Sequence, residues 1–275
     1  MISPYSTPVG KSGTDQQSSI TLLIQWYGSL RALMVREVRA RFSGDPLGYT
    51  WAFVTPLVWI ASIAVIFSLV GRLTPIHTDI ISFLIAGMLP YTIFRTTISA
   101  TMRISKAQKN MRYFANISAN DILVASTLME LMNAILIYIV LMAGNELIFS
   151  HFEVADPAMT MFGFTLAWGL GASFGHMAVA FTQISEATVR FVPILLRPMF
   201  WLSGIFFVAN ELPGGLLNVM QYNPLLQAIE IMRSASFLGY SSRIADPLIP
   251  LAWIVGMNLT AVLIKTLTAK KQYNI

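Results

Sequence analysis

Residues 49–71 run without a single charged side chain. A helix needs about 20 consecutive apolar residues to cross the hydrocarbon core of a bilayer, and this stretch supplies them. Five further segments read the same way: 80–102, interrupted by Arg95; 122–149, with Glu130 and Glu146; 157–185, with no Asp, Glu, Lys or Arg; 191–210, with Arg197 inside it; and 247–264. The expected fold is therefore an all-α integral membrane protein of six transmembrane helices. Residues 212–229 are also uncharged but contain Pro213, Gly214, Gly215 and Pro224. Broken apolar backbone at membrane depth is tolerated only against protein or along a cavity. This stretch, which includes Asn223, reads as a re-entrant hairpin before the last helix. The alternative is a seventh span, which would put the termini on opposite sides.

Composition agrees. Of the 275 residues, 55% are hydrophobic and only 11% charged, against roughly 25% charged in soluble domains. A soluble enzyme, a disordered scaffold and a nucleic-acid-binding domain are excluded. With no cysteine, a disulfide framework, a thiolate metal site and a cysteine nucleophile are excluded too. Residues 1–21, rich in Ser, Thr, Gln, Pro and Gly, read as a disordered tail. Residues 22–45 mix apolar positions with Arg31, Arg36, Arg39 and Arg41 and read as an amphipathic helix on a membrane face. Residues 46–275 form the membrane domain.

The net charge of +5 reflects topology. Thirteen of the 18 Lys and Arg residues fall on one face, including Arg103, Lys106, Lys109 and Arg112 between the second and third spans. The opposite loops carry Asp79, Glu153, Asp156, Glu211, Glu230 and Asp246. By the positive-inside rule both termini are cytoplasmic.

Chemistry is sparse. Gly10-Lys11-Ser12 resembles the end of a phosphate-binding loop, but the pattern needs Gly at position 5, which is Tyr5, and a preceding hydrophobic strand. His77, His151 and His176 have no metal-ligand spacing, and no catalytic motif is present. Gly171 and Gly175 form a GxxxG pattern that reads as close helix packing. The sequon at Asn116 falls on the expected cytoplasmic side. No metal site, no cofactor and no nucleic-acid partner are expected for this chain. Active transport would need an ATP-hydrolysing partner or an ion gradient.

Four segments in order carry a family pattern. Arg36-Glu37-Val38-Arg39-Ala40-Arg41-Phe42 precedes Leu47-Gly48-Tyr49-Thr50-Trp51-Ala52 and Pro56. Then come Gly87-Met88-Leu89-Pro90-Tyr91 and the run from Leu195 through Arg197-Pro198 to Gly204. Last is Tyr222-Asn223-Pro224-Leu225 with Glu230, Arg233 and Gly239-Tyr240. Over about residues 30–270 the chain resembles the transmembrane subunit of polysaccharide-exporting ABC transporters of type 2. The best fit is the capsular polysaccharide permeases; the O-antigen and teichoic acid permeases share much of the pattern. The resemblance implies a homodimer paired with two copies of a separate ATPase subunit, which binds ATP and Mg. It also implies a lipid-linked acidic polysaccharide substrate, a periplasmic adaptor, an outer-membrane channel and a place in a Gram-negative inner membrane.

Candidate residues follow. Arg103, Lys106, Lys109, Met111, Arg112, Tyr113 and Phe114 form either a coupling helix for the ATPase or a solvated positive-inside loop. The basic set Arg36, Arg39 and Arg41 anchors headgroups, touches the ATPase or meets the glycolipid. Tyr49, Trp51, Trp59, Phe200 and Trp201 line a saccharide path or mark helix contacts and the membrane interface. Arg197, about 9 Å into its helix counted from Phe191, faces a substrate cavity with Arg95 as a second basic group, or snorkels to headgroups. Pro213, Gly214, Gly215, Asn223 and Pro224 shape an exit hairpin. A lipid or drug permease, a secondary transporter using Glu130, Arg95 or Arg197, and a scaffold for a glycan synthase are the competing functions.

Overall fold

The computed structural model describes residues 48–108, 119–149 and 154–273, and the helical positions Gly28, Arg31, Met34 and Val35. The expected tail and the basic set Arg36, Arg39 and Arg41 lie outside the described residues. So do Lys109, Met111, Arg112, Tyr113 and Phe114.

The described chain is all-helical. Helix α1 is Trp51–Val70, α2 Ile80–Gln108, α3 Ala119–Phe149 and α4 Pro157–Thr182. Helix α5 is Thr188–Leu202, α6 Gly214–Met220, α7 Pro224–Ser236 and α8 Leu248–Tyr273. Helices α1, α2, α3, α4 and α8 each contain a stretch long and apolar enough to cross a membrane.

Several helix starts are set by side chains that satisfy otherwise unpaired amides. Asp79 accepts from the Ser82 N–H at 2.8 Å ahead of α2, and Asp156 from the Met159 N–H at 3.0 Å ahead of α4. Asn223 accepts from the N–H groups of Leu225 and Leu226 at 3.1 and 3.3 Å. Pro157 and Pro224 follow their caps, where the missing N–H costs nothing.

Helix α2 is the centre of the bundle. Its span is 72% buried, against 22% for α1 and for α8. It packs on α1, α3, α4 and α7, and α4 in turn packs on α7 and α8. Small residues permit this closeness. A Cβ at Gly171 would stand 2.6 Å from the Phe94 carbonyl oxygen, and one at Gly175 2.9 Å from the Thr101 side chain. The GxxxG pattern is therefore the contact of α4 with α2. Polar side chains add interhelical bonds of the kind that hold membrane bundles together. Trp168 Nε1 donates to the Thr127 carbonyl at 2.6 Å, Asn258 to Ser173 at 2.7 Å and Asn145 to Ser82 at 2.8 Å.

One segment differs from expectation. The helix expected over 191–210 ends at Leu202 and has 15 residues, about 22 Å of rise against the roughly 30 Å hydrocarbon core. Pro193 and Pro198 remove two of its ladder donors, Ser203 bonds back to the Met199 carbonyl, and Gly204 turns the chain at φ 80°. Residues 212–229 form two helices, α6 and the start of α7, joined at a turn before Asn223. The Pro and Gly breaks thus mark helix starts. Helix α7 packs on α2, α4 and α8, and a Cβ at Gly214 or Gly215 would meet open space.

Candidate functional site

A cleft of about 1510 Å³ lies between α1, α2, α3 and α5 and is bounded at one end by Phe206 and Phe207. Helix α1 presents Trp51, Thr55, Trp59, Ile63 and Phe67 to it, four residues apart, on the helical periodicity that places them on one face. Helix α2 presents Thr92, Arg95, Thr96, Ser99 and Arg103 by the same periodicity. Helix α3 adds Glu130 and Asn133, and α5 adds Arg197, Phe200 and Trp201.

The wall is basic. Arg72, Arg95, Arg103 and Arg197 line it, against one carboxylate among the described residues, Glu130. Arg95 and Arg103 are separated by two helical turns, about 12 Å. Like charges lining a low-dielectric cleft focus the field and raise the local concentration of an anionic ligand. The hydroxyl hydrogens of Thr96 and Ser99 are used on their own helix, at 3.3 Å to the Ile93 carbonyl and 2.9 Å to the Arg95 carbonyl. Their oxygens remain as acceptors toward the cleft.

One end is aromatic, with Phe200 as the hub. Its ring lies 6.3 Å from Trp59, 5.1 Å from Tyr91, 5.5 Å from Trp201 and 5.3 Å from Phe206, each pair edge to face. Trp201 and Phe206 are 5.2 Å apart. Edge-to-face pairs at these distances fix ring orientation, so the rim is built rather than incidental.

The backbone behind this rim is held by side chains. After α5 ends, the carbonyl of Leu202 accepts from Asn223 Nδ2 at 2.9 Å. Arg233 donates to the carbonyls of Gly204 at 2.5 Å, Phe207 at 2.8 Å and Ile205 at 3.0 Å. Its guanidinium is fully buried, stacks 4.1 Å from the centre of the Phe83 ring and lies 3.8 Å from Glu230. Glu230 in turn accepts from the Tyr240 hydroxyl at 2.5 Å. Gly87 makes room, since a Cβ there would fall 2.5 Å from the guanidinium. Arg72 supplies the remaining bond, to the Phe206 carbonyl at 2.7 Å.

Of the residues singled out in the sequence, Trp51, Trp59, Arg95, Arg197, Phe200 and Trp201 all line this one cleft. Tyr49 lies in the short 3₁₀ turn that leads into α1. Arg103, grouped with the coupling loop, also lines the cleft, and Lys106 falls within the last turn of α2. Asn223 and Pro224 cap and start α7, and Pro213 precedes α6. Arg72 directly follows the first expected span and Phe206 falls inside the stretch 191–210, and neither was singled out in the sequence. The only signal for Arg72 is its position directly after Gly71, whose left-handed φ of 68° ends α1 and aims the next residue.

The described residues thus form an apolar helical bundle around a wide cleft lined by four arginines and a cluster of aromatic rings. Residues 28–237 match the model of the ABC-2 type transporter family, and the chain belongs to that family. It is 25% identical over 214 residues to the polysialic acid transport protein KpsM of Escherichia coli, covering 78% of this chain and 83% of that one. It is 23% identical to the capsule polysaccharide export inner-membrane protein BexB of Haemophilus influenzae, covering 76% and 78%. To the O-antigen export system permease protein RfbA of Myxococcus xanthus it is 22% identical, covering 84% and 88%.

Proposed function

We propose that this chain is the membrane-spanning subunit of an ATP-driven exporter that moves a lipid-linked acidic polysaccharide across the bacterial inner membrane. Capsular polysaccharide is the favoured cargo. The observation that carries the reading is the cleft, where four arginines face one carboxylate and an aromatic rim closes one end. Guanidinium groups pair bidentately with phosphates and carboxylates, and flat sugar faces pack on aromatic rings. The names of the capsule-export relatives point the same way.

On this reading α5, with the side-chain-held segment after it, is a sixth crossing. An even number of crossings returns both termini to one side, and the distribution of Lys and Arg makes that side cytoplasmic. The rim then faces the periplasm. Apolar side chains exposed on α1 and α5, among them Leu57, Val58, Phe191 and Ile194, meet a second copy that closes the cleft. ATP and Mg belong to two copies of a partner ATPase, and Lys106 to Phe114 supply its docking loop. A periplasmic adaptor and an outer-membrane channel carry the product onward. The chain itself performs no hydrolysis.

The test is deletion of the gene in its own cell and co-purification with an ABC ATPase. Loss of surface polysaccharide, intracellular accumulation of lipid-linked glycan, and a stable complex with nucleotide-dependent ATPase activity are expected. Unchanged surface polysaccharide in the deletion strain would refute the proposal. Which surface glycan disappears separates capsule from O-antigen export, a reading that the Myxococcus relative favours.

A further inference from the structure

Two arginines hold four successive carbonyls, those of residues 204–207, and they are not equivalent. Arg233, from α7, takes Gly204, Ile205 and Phe207 and is fully buried. Arg72, from the turn after α1, takes Phe206 alone and is exposed. Its guanidinium also stacks 5.1 Å from the centre of the Phe67 ring. The backbone of Arg72 is fixed, because its N–H closes the end of α1 on the Phe67 carbonyl at 2.9 Å.

We infer that Arg72 is the releasable latch of this cleft, a positioning residue that holds α1 against the aromatic rim while Arg233 anchors the rim permanently. A buried guanidinium with three carbonyl partners has no water to exchange with, so breaking it strands polar groups. An exposed guanidinium with one carbonyl partner exchanges that bond for water at small net cost. The joint between the segment 203–208 and α7 therefore stays closed, and the joint with α1 is the one that opens. Besides Arg72, α1 meets the aromatic rim through ring packing, Trp59 on Phe200 at 6.3 Å and Phe67 on Phe206 at 6.3 Å. Ring packing slides where hydrogen bonds snap, and cargo made of sugar rings can replace it face for face. The rim's moving side is then α1, and Arg72 keeps the cleft shut at that end between cargoes. It rests on the transport reading for its biological meaning, though not for its geometry.

The chain has no cysteine, so a single reporter thiol has no background. Thr96→Cys lies on the cleft wall of α2, and Ser126→Cys, 2% exposed, lies away from the cleft. Labelling by a membrane-impermeant maleimide is followed in right-side-out and inside-out vesicles carrying the assembled transporter. With Arg72→Ala, labelling at position 96 accelerates from one side on the order of tenfold, the factor corresponding to one net hydrogen bond. Position 126 stays protected. Arg72→Lys, which still reaches a carbonyl with one donor, brings the rate back toward the parent value. Equal labelling of position 96 with Arg72 and Arg72→Ala in both orientations overturns the latch. So does acceleration at position 126 as well, since that reports general loosening. Because labelling requires no cargo, a chain that exports no polysaccharide but shows the one-sided acceleration overturns the transport reading and leaves the latch standing.

Discussion

Arg233 on α7 and Gly204 beyond the end of α5 are 29 positions apart in the chain, yet the guanidinium donates to the Gly204 carbonyl at 2.5 Å. The irregular backbone just beyond α5 is thus held by a side chain from another helix. Backbone carbonyls outside a helix ladder must find donors, and in an apolar bundle water does not supply them. Arg233→Met keeps the volume and removes every donor. Breaking a buried charged network in this way costs about 3–5 kcal/mol. The expected result is a large fall in the thermal midpoint of the detergent-solubilised protein, read by fluorescence-detected size exclusion. Arg233→Lys should fall between the two, because an ammonium cannot fork across three carbonyls.

Tyr240 lies in the loop after α7, and its hydroxyl donates to Glu230 at 2.5 Å. Burial first, and then the neighbouring Glu230 charge, hold this phenol well above its ordinary value of 10.0. At neutral pH it is protonated in both folded and unfolded chains, and its contribution is intact. As pH rises past about 10, the unfolded phenol ionises while the folded one resists, so stability is lost. Tyr240→Phe should remove that part of the alkaline slope. It should also lower stability at neutral pH by about 1.5–3 kcal/mol, the value of a hydrogen bond to a charged group. An unchanged alkaline slope in the phenylalanine variant would reject this assignment.

Gly171 faces the backbone of α2 at Phe94. Gly171→Ala adds a methyl where a carbonyl oxygen would stand 2.6 Å away, and backbone can yield only by moving the helices apart. Overpacking of this kind costs about 1–3 kcal/mol. Gly214→Ala and Gly215→Ala put the same methyl into open space and should change the midpoint little. The three variants measured side by side separate packing glycines from helix-start glycines.

The hydropathy pattern made legible the five described helices that are long and apolar enough to cross a membrane, because length and lack of charge are local properties. Asp79 and Asp156 read only as loop acids and Asn223 only as a hairpin residue, and their roles as helix caps appear in the structure. The cleft residues Trp59, Arg95, Arg197 and Phe200 were legible for another reason: Tyr, Trp and Arg in apolar helices are costly or conspicuous wherever they sit. What the sequence hid was the end of α5. Residues 191–210 are apolar throughout apart from Arg197, and the break at Gly204 is stabilised by donors from α7, from its cap Asn223 and from the turn after α1. No local signal announces a partner that distant. For the same reason Arg72 read as a loop residue, and the Gly87 motif lacked a meaning until the guanidinium it accommodates was in place.

Arg197 carries the last prediction. It stands nine residues into α5, about 14 Å along the helix, deeper than the 9 Å that a start at Phe191 would give. Its side chain lines the cleft, in the company of Arg95, Phe200 and Trp201. An arginine within an apolar helix costs about 2.5 kcal/mol or more, and snorkelling to a headgroup becomes harder with depth. On the proposed reading it attracts phosphate or sugar carboxylates of the cargo into the cleft. Arg197→Ala should leave expression, thermal midpoint and association with the ATPase near parent values, because nothing is left buried without a partner. Export should fall roughly ten- to hundred-fold, the factor for about 1.5–3 kcal/mol of charge-assisted bonding. Arg197→Lys should keep part of the rate, since charge survives while the bidentate fork is lost. Added salt should narrow the gap between the parent and the alanine variant, because screening weakens the attraction that remains in the parent. Surface polysaccharide at parent level in the alanine variant, at equal protein abundance, would show that Arg197 serves the headgroups instead.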